Sequence, residues 1–350
     1  MDFYRLLKLF GKLKSPKARL LGLYVMHTAR RRYIGIYLDP VLSCNFRCKM
    51  CYFSDEEKRK EMHGILSEQD METIAKALFH RALKLQIGCG AEPSLYKNLT
   101  GIVRLGKQYN VPYISLTTNG NLLTKEQLFS MAEAGLDEIT LSTHGIRKET
   151  YEHLMTNGKY DLFLQLLDNL KEVKKQYPDF RIRINYTMNE DNTEELKDFW
   201  KVFGDIPLNI LQLRPVQEIG NSEYQNFSLQ KISELLDSVV NPLVEECKRK
   251  GIICMAPEHK NLQILEQETP DKDKTFEELT YCYVSARSCW NEDFDYHTET
   301  FESYCRRKRM GKYILQKLFS RTENKLDKPK HVTSYMESDR LRKEKQTEED

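Results

Sequence analysis

The chain has 350 residues, of which 40% are hydrophobic, enough for one large α/β domain with a sizeable core and an appendage. A charged fraction of 30% and a mean hydropathy of −0.62 describe a soluble protein, and a net charge of only +2 gives no electrostatic reason to expect nucleic-acid binding. Nine Cys, an odd number with no secretory leader, disfavour a disulfide framework and fit reduced thiols in a cytoplasm. In chain order, residues 1–32 come first as a basic amphipathic arm. Arg5, Lys8, Lys12, Lys14, Lys17, Arg19 and Arg30 to Arg32 are interleaved there with Leu6, Leu7, Leu9, Phe10, Leu13, Leu20, Leu21 and Leu23. No apolar run reaches the roughly 20 residues of a membrane span. Such an arm suits peripheral contact with an anionic membrane or an acidic partner, or a helix packed across the base of the fold with a solvated basic face.

Six β-rich segments follow, at 33–38, 83–88, 113–117, 138–142, 181–187 and 209–213, and amphipathic stretches alternate with them. Residues 67–70 open a helix over 71–82, and 124–127 form a capping box for 128–134, ended by Gly135. Residues 160–175 and 194–203 read as further helices, and 229–251 as a long one broken near Pro242. Strand–helix alternation predicts a parallel sheet with helices outside. Six repeats fall short of a closed barrel, so the expected fold is α/β, a partial (β/α)6 TIM-type barrel with a small Cys-bearing C-terminal extension. The expected divisions are the arm at 1–32, the barrel at 33–228, a helix and Cys-bearing region at 229–320, and a polar, disordered tail at 321–350.

Chemistry concentrates where strands end, as barrel folds require. After the first strand, Cys44, Cys48 and Cys51 stand at C-x3-C-x2-C spacing. Zinc wants four ligands, commonly as two knuckles, and no second C-x2-C exists. Three thiolates suit an iron–sulfur cube with one iron left open, because a structural cube takes four Cys. The second strand ends in Gly88-Cys-Gly-Ala-Glu-Pro93, a tight turn carrying one carboxylate, Glu92. The third ends in Ser115-Leu-Thr-Thr-Asn-Gly120, where Thr118 and Asn119 offer hydrogen bonds and which in isolation is an ordinary Asn-Gly turn. The fourth ends in Leu141-Ser-Thr-His-Gly145, with Ser142 and His144 exposed to whatever lies above the strand. Arg183, Asn185 and Arg214 are polar residues on the fifth and sixth strands, either ligand contacts or braces of the barrel interior.

The Cys loop and these strand ends, in this order, resemble the radical S-adenosylmethionine (SAM) superfamily over residues 33–213. The resemblance implies a [4Fe–4S] cluster on Cys44, Cys48 and Cys51, its open iron chelated by SAM. It further implies that Gly90, Ala91, Glu92 and Pro93 match the family's Gly-Gly-Glu-Pro turn, which receives the SAM amino group. Thr118 and Asn119 match Thr-x-x-Thr-Asn-Gly, and Ser142 matches a residue near the SAM carboxylate. Arg183, by its place on the fifth strand, is expected as a further SAM or substrate contact, with a brace of the barrel interior as the other reading. Three positions depart from the pattern: Ala91 replaces Gly, His144 an acid, and Met50 an aromatic residue beside the third Cys. The implied reaction is reductive cleavage of SAM to a 5′-deoxyadenosyl radical that abstracts hydrogen, with an electron donor such as flavodoxin or ferredoxin. No catalytic residue of the protein itself is assigned.

Further along, Cys289 and Cys305, with Thr300 between them, resemble the opening of the SPASM and twitch auxiliary-cluster domains. Cys282 and Cys254 or Cys247 would complete a second cluster. The other reading of these thiols is burial beside Trp290, as free Cys often are. Cys89 and Cys247 read as structural. A SPASM-like segment implies a peptide or protein substrate. The alternatives are a small molecule or carbohydrate substrate, or a non-catalytic iron–sulfur or metal-binding scaffold.

Overall fold

Alternation of side chains builds the sheet. Along Arg181–Met188 the residues Ile182, Ile184, Tyr186 and Met188 are buried, while Arg183, Asn185 and Thr187 face the other way and are half-buried. The computed structural model describes residues 15–320 apart from Glu218, Asn226, 260–261 and 263–274. The expected arm residues 1–14 and the tail 321–350 lie outside the described residues.

The six expected strands are present as β1 (Ile34–Asp39), β2 (Ala82–Ile87), β3 (Ile114–Thr118), β4 (Glu138–Thr143), β5 (Arg181–Met188) and β6 (Ile210–Pro215). Two more, β7 (Ile253–Met255) and β8 (Tyr281–Ser285), come from the stretch in which the sequence shows no clear strand pattern. All eight form one parallel sheet in the order β8-β1-β2-β3-β4-β5-β6-β7. That is barrel order, but among the described residues no pairing joins β7 to β8, so the sheet stays open.

Helices cover the convex face, and their ends follow from local chemistry. They are α1 (Pro16–Thr28), α2 (Glu68–Leu78), α3 (Leu99–Gln108), α4 (Lys125–Glu133), α5 (Tyr160–Gln176), α6 (Asn241–Arg249), α7 (Phe301–Arg307) and α8 (Met310–Phe319). Ser67 caps α2, and the Thr124–Gln127 box closes in both directions at α4. The stretch 229–251 is broken into a short helix, Gln230–Glu234, a π turn, Leu236–Val240, and α6, whose first turn holds Pro242 where no N–H is needed. Likewise 194–203 splits into a 3-10 segment, Thr193–Asp198, and a short helix, Phe199–Phe203. The α1 helix buries Leu20 and Leu23 and packs against α8, leaving Lys17, Arg30 and Arg31 exposed. No helix among the described residues is long and apolar enough to cross a membrane.

Contacts identify the two faces of the sheet. A Cβ on Gly106 of α3 would meet Ile114 and Leu85, so these look outward to the helices. Their strand neighbours Lys84, Gln86 and Ser115 therefore line the concave face.

Candidate functional site

The Cys loop leaves β1 and is fastened along its whole length. Arg47 and Cys48 pair antiparallel with Met155 and Thr156, and the Arg47 guanidinium holds the Cys44 and Phe46 carbonyls at 2.7 Å each. The Cys51 N–H donates to the Cys48 carbonyl at 2.9 Å. Tyr52 donates its hydroxyl to the Gly90 carbonyl, and Asn45 accepts from Asn119 at 2.8 Å. The loop is thus tied to the turns after β2 and β3. Met50, 5% exposed, turns its sulfur to the Asn189 amide at 3.2 Å, so it packs into the loop's base.

Cys44, Cys48 and Cys51 are brought together, each half-buried and free. Burial holds their thiols protonated, pushing Cys44 up to about 12 and Cys51 up to about 11, and Cys48 well above its ordinary value. Charge on Cys51 and Cys44 bears on Cys48, so the three sulfurs share one neighbourhood. Backbone N–H groups point at the sulfurs, Phe46 to Cys44 at 3.4 Å and Phe53 to Cys51.

Asp39 and Glu92 organise the turn after β2. Asp39 ends β1 with no exposure and accepts from the Cys89 N–H at 2.8 Å, the Gly90 N–H at 2.9 Å and the Tyr283 hydroxyl at 2.7 Å. Sequence reasoning missed it, and the only signal was a charged residue closing an apolar strand. Gly88 has φ +81°, and a Cβ there would stand 2.3 Å from the Thr117 carbonyl oxygen. Glu92 is 3% exposed. Its Oε1 accepts from the Ser94 N–H at 3.0 Å, the Ser94 hydroxyl at 2.6 Å and the Thr118 hydroxyl at 2.6 Å, and its Oε2 from the Asn119 N–H at 2.8 Å. One carboxylate therefore locks the β2 turn to the β3 turn, and Oε2 keeps the spare acceptor capacity.

Above β4, the Ser142 hydroxyl has no hydrogen-bond partner among the described residues. His144 Nδ1 is sealed from solvent and equally without a partner, and burial pushes the imidazole down to about 4, so the ring is neutral. Arg183 lies deeper, between Asn185, Gln212 and Glu138. It is apart from the strand-end groups that the Cys loop meets, while Arg214 stands exposed near the end of β6.

The C-terminal thiols divide. Cys254 on β7 is hydrogen-bonded to Cys247 of α6, at one edge of the sheet. Cys282, on β8 at the other edge, feels the charge of Cys289, and Cys305 sits in α7 near Glu302 and Arg81. A cleft of about 340 Å³ lined by Lys107, Asp137, Tyr177 and Phe180 opens where β4 and β5 begin, away from the Cys loop.

The donor set decides what the Cys loop fits. Among the described residues no three His, Cys, Asp or Glu converge on a position for a single metal ion. Zinc draws its sulfurs onto one centre at about 2.3 Å, whereas a cube spreads its thiolates over separate irons. Neighbouring thiols with N–H groups aimed at two of the sulfurs, and an orphaned His144 nitrogen and Ser142 hydroxyl at the end of β4, fit a cluster with a polar ligand beside it.

An open parallel sheet with a three-thiol loop at its C-terminal end defines a class of iron–sulfur domain, and comparison with known proteins agrees. Residues 40–201 match the Radical SAM superfamily, so the chain carries a radical SAM domain, of a superfamily that uses a [4Fe–4S] cluster and SAM. Probable GTP 3′,8-cyclase of Saccharolobus islandicus (strain M.14.25 / Kamchatka #1) is 28% identical over 199 residues, covering 56% of this chain and 62% of the relative. The protein of that name from Saccharolobus solfataricus is 26% identical over 200 residues, with the same 56% and 62%. The chain thus spans less than two thirds of the length of these relatives. Among solved structures, Streptococcus suis SuiB bound to S-adenosylmethionine superposes with a TM-score of 0.57 at 15% identity, over 75% of this chain and 60% of that one. Native anSMEcpe with bound AdoMet gives a TM-score of 0.51 at 18% identity, over 63% of each chain. At these identities the likeness is one of fold.

Proposed function

We propose that the chain is a SAM-dependent radical enzyme acting on a small molecule in a reducing cytoplasm. The observation that carries this is one arrangement: three neighbouring thiols on a loop fastened by Tyr52 and Asn45 to the two turns that Glu92 locks together. In this reading Cys44, Cys48 and Cys51 hold the [4Fe–4S] cluster. The carbonyl of Ala91 and Oε2 of Glu92 receive the SAM amino group, and Ser142 and His144 Nδ1 accept or donate to its remaining polar atoms. Thr118 and Asn119 keep the β3 turn in place beneath it. Bound, the cluster and SAM supply a reductive cleavage whose carbon radical removes hydrogen from a substrate C–H bond. The protein's share is to orient that bond and to exclude water and oxygen.

A small-molecule substrate has more support than a peptide. The curated relatives are named for a reaction of GTP, whereas the peptide reading rests on C-terminal thiols that are spread over both edges of the sheet. An electron donor such as flavodoxin or ferredoxin completes the scheme. Anaerobic incubation of the cluster-replete chain with reductant and SAM is expected to release 5′-deoxyadenosine. A sample with full iron content and no such product would defeat the proposal.

A further inference from the structure

The concave face carries cations that lie outside the set of residues assigned above to SAM. Lys84 on β2 and Arg183 on β5 face it, and Arg214 on β6 stands in register with Thr187 of that same face. Arg183 is close enough for its charge to bear on both of the others. Its own position is fixed by Asn185 Oδ1 at 3.0 Å, by Gln212 and by Glu138 at 3.7 Å. Lys84 is held by Gln86 Oε1 at 2.8 Å and by the Tyr37 ring at 5.7 Å, and the Glu138 carboxylate is close enough for its charge to bear on it. Arg214 has no hydrogen bond or ion pair among the described residues.

Three cations thus gather around Glu138, which Arg183 meets at 3.7 Å. The carboxylates of Asp39 and Glu92, at the strand ends, are engaged by backbone N–H and hydroxyl donors. Like charges held together in a partly dry interior repel strongly and favour an anion among them. A buried hydroxyl without a partner, Ser115 Oγ, lies on the same face.

We propose that Lys84 and Arg214, with Arg183 held between them, form an anion subsite inside the barrel that takes the phosphate of a small-molecule substrate. This rests on the concave face being the substrate side of the proposed enzyme. Phosphate matches better than carboxylate because it brings about two charges and three acceptor oxygens, which an Arg fork and a Lys point charge can share. A single carboxylate brings about half that charge and two acceptor oxygens.

Lys84 adds a pH signature. Burial pushes its ammonium down to about 8, and the groups facing it are Tyr37 of β1, Cys89 after β2, Glu138 of β4 and Arg183 of β5. Cys89 is held neutral, burial pushing its thiol up to about 12. A bound anion favours the charged ammonium, so affinity falls as pH rises through about 8.

The test is calorimetric binding of inorganic phosphate and inorganic triphosphate to the cluster-replete chain, with malonate as the carboxylate control, with and without SAM. Triphosphate is expected to bind more tightly than malonate, and to do so with SAM present. Arg214→Gln and Lys84→Met are each expected to weaken it by about tenfold or more. Lys84→Met should also remove the fall in affinity above pH 8. Arg214 is exposed, so its variant keeps the fold even if a change at Lys84 does not. Failure of phosphate and triphosphate to bind, malonate binding as tightly, loss of triphosphate when SAM is added, or affinity unchanged in Arg214→Gln would each overturn the subsite. Release of 5′-deoxyadenosine is read separately, so an enzyme that cleaves SAM but ignores phosphate sinks this inference alone.

Discussion

Glu92 shows how much can depend on one side chain. Three donors converge on Oε1 and a backbone N–H on Oε2, and the carboxylate is almost wholly buried. Glu92→Gln keeps the volume but replaces an acceptor by an N–H pair facing other donors. At least one buried donor then goes unpaired, at a cost of about 1–3 kcal/mol. Because the same carboxylate joins the β2 and β3 turns, the variant is expected to melt at a lower temperature and to lose most SAM binding together. A variant that melts lower but binds SAM normally would leave Glu92 a brace with no part in the ligand site.

At the level of elements, the turn after β2 is the sharpest case. Gly88→Ala forces a side chain into the left-handed region and against the Thr117 carbonyl, and is expected to destabilise by about 2 kcal/mol or more. Gly22→Ala in α1 is the control: its Cβ meets nothing within 4 Å, and the change should stabilise by about 0.5–1 kcal/mol. Equilibrium unfolding of both checks the pair. The two glycines also mark what was legible in the sequence. Strands β1 to β6 were legible because each pairs an apolar outer face with polar residues such as Lys84, Arg183 and Asn185 on the other. The β8 strand, Tyr-Cys-Tyr-Val-Ser, carries no such alternation, and its place beside β1 depends on a partner some 240 residues earlier, Gly35 opposite Tyr281. The three residues of β7 are too few to show a period. At the site, the Cys loop and strand-end turns were readable as local motifs. The buried role of Asp39 was not, because its partners Cys89, Gly90 and Tyr283 come from two distant segments.

For the whole molecule, the placement of the nine thiols predicts the metal content. Cys44, Cys48 and Cys51 share one neighbourhood beside the turns after β2 and β3, and N–H groups aim at two of their sulfurs. The later thiols are spread over both edges of the sheet: Cys247 and Cys254 meet at the β7 edge, Cys282 and Cys289 lie at the β8 edge, and Cys305 sits in α7, whose Tyr304 packs on Trp290. A single cube therefore accounts for the ligands on hand, and anaerobically reconstituted protein is expected to hold about four irons per chain. Replacing Cys44, Cys48 and Cys51 together by Ala should empty it and bleach the brown colour. Replacing Cys282, Cys289 and Cys305 together should leave the iron content unchanged, at a cost in stability, since Cys282 is fully buried and its loss opens a void against β1. About eight irons per chain, falling to four in that second variant, would instead place an auxiliary cluster at the β8 edge and restore the case for a larger, peptide-like substrate.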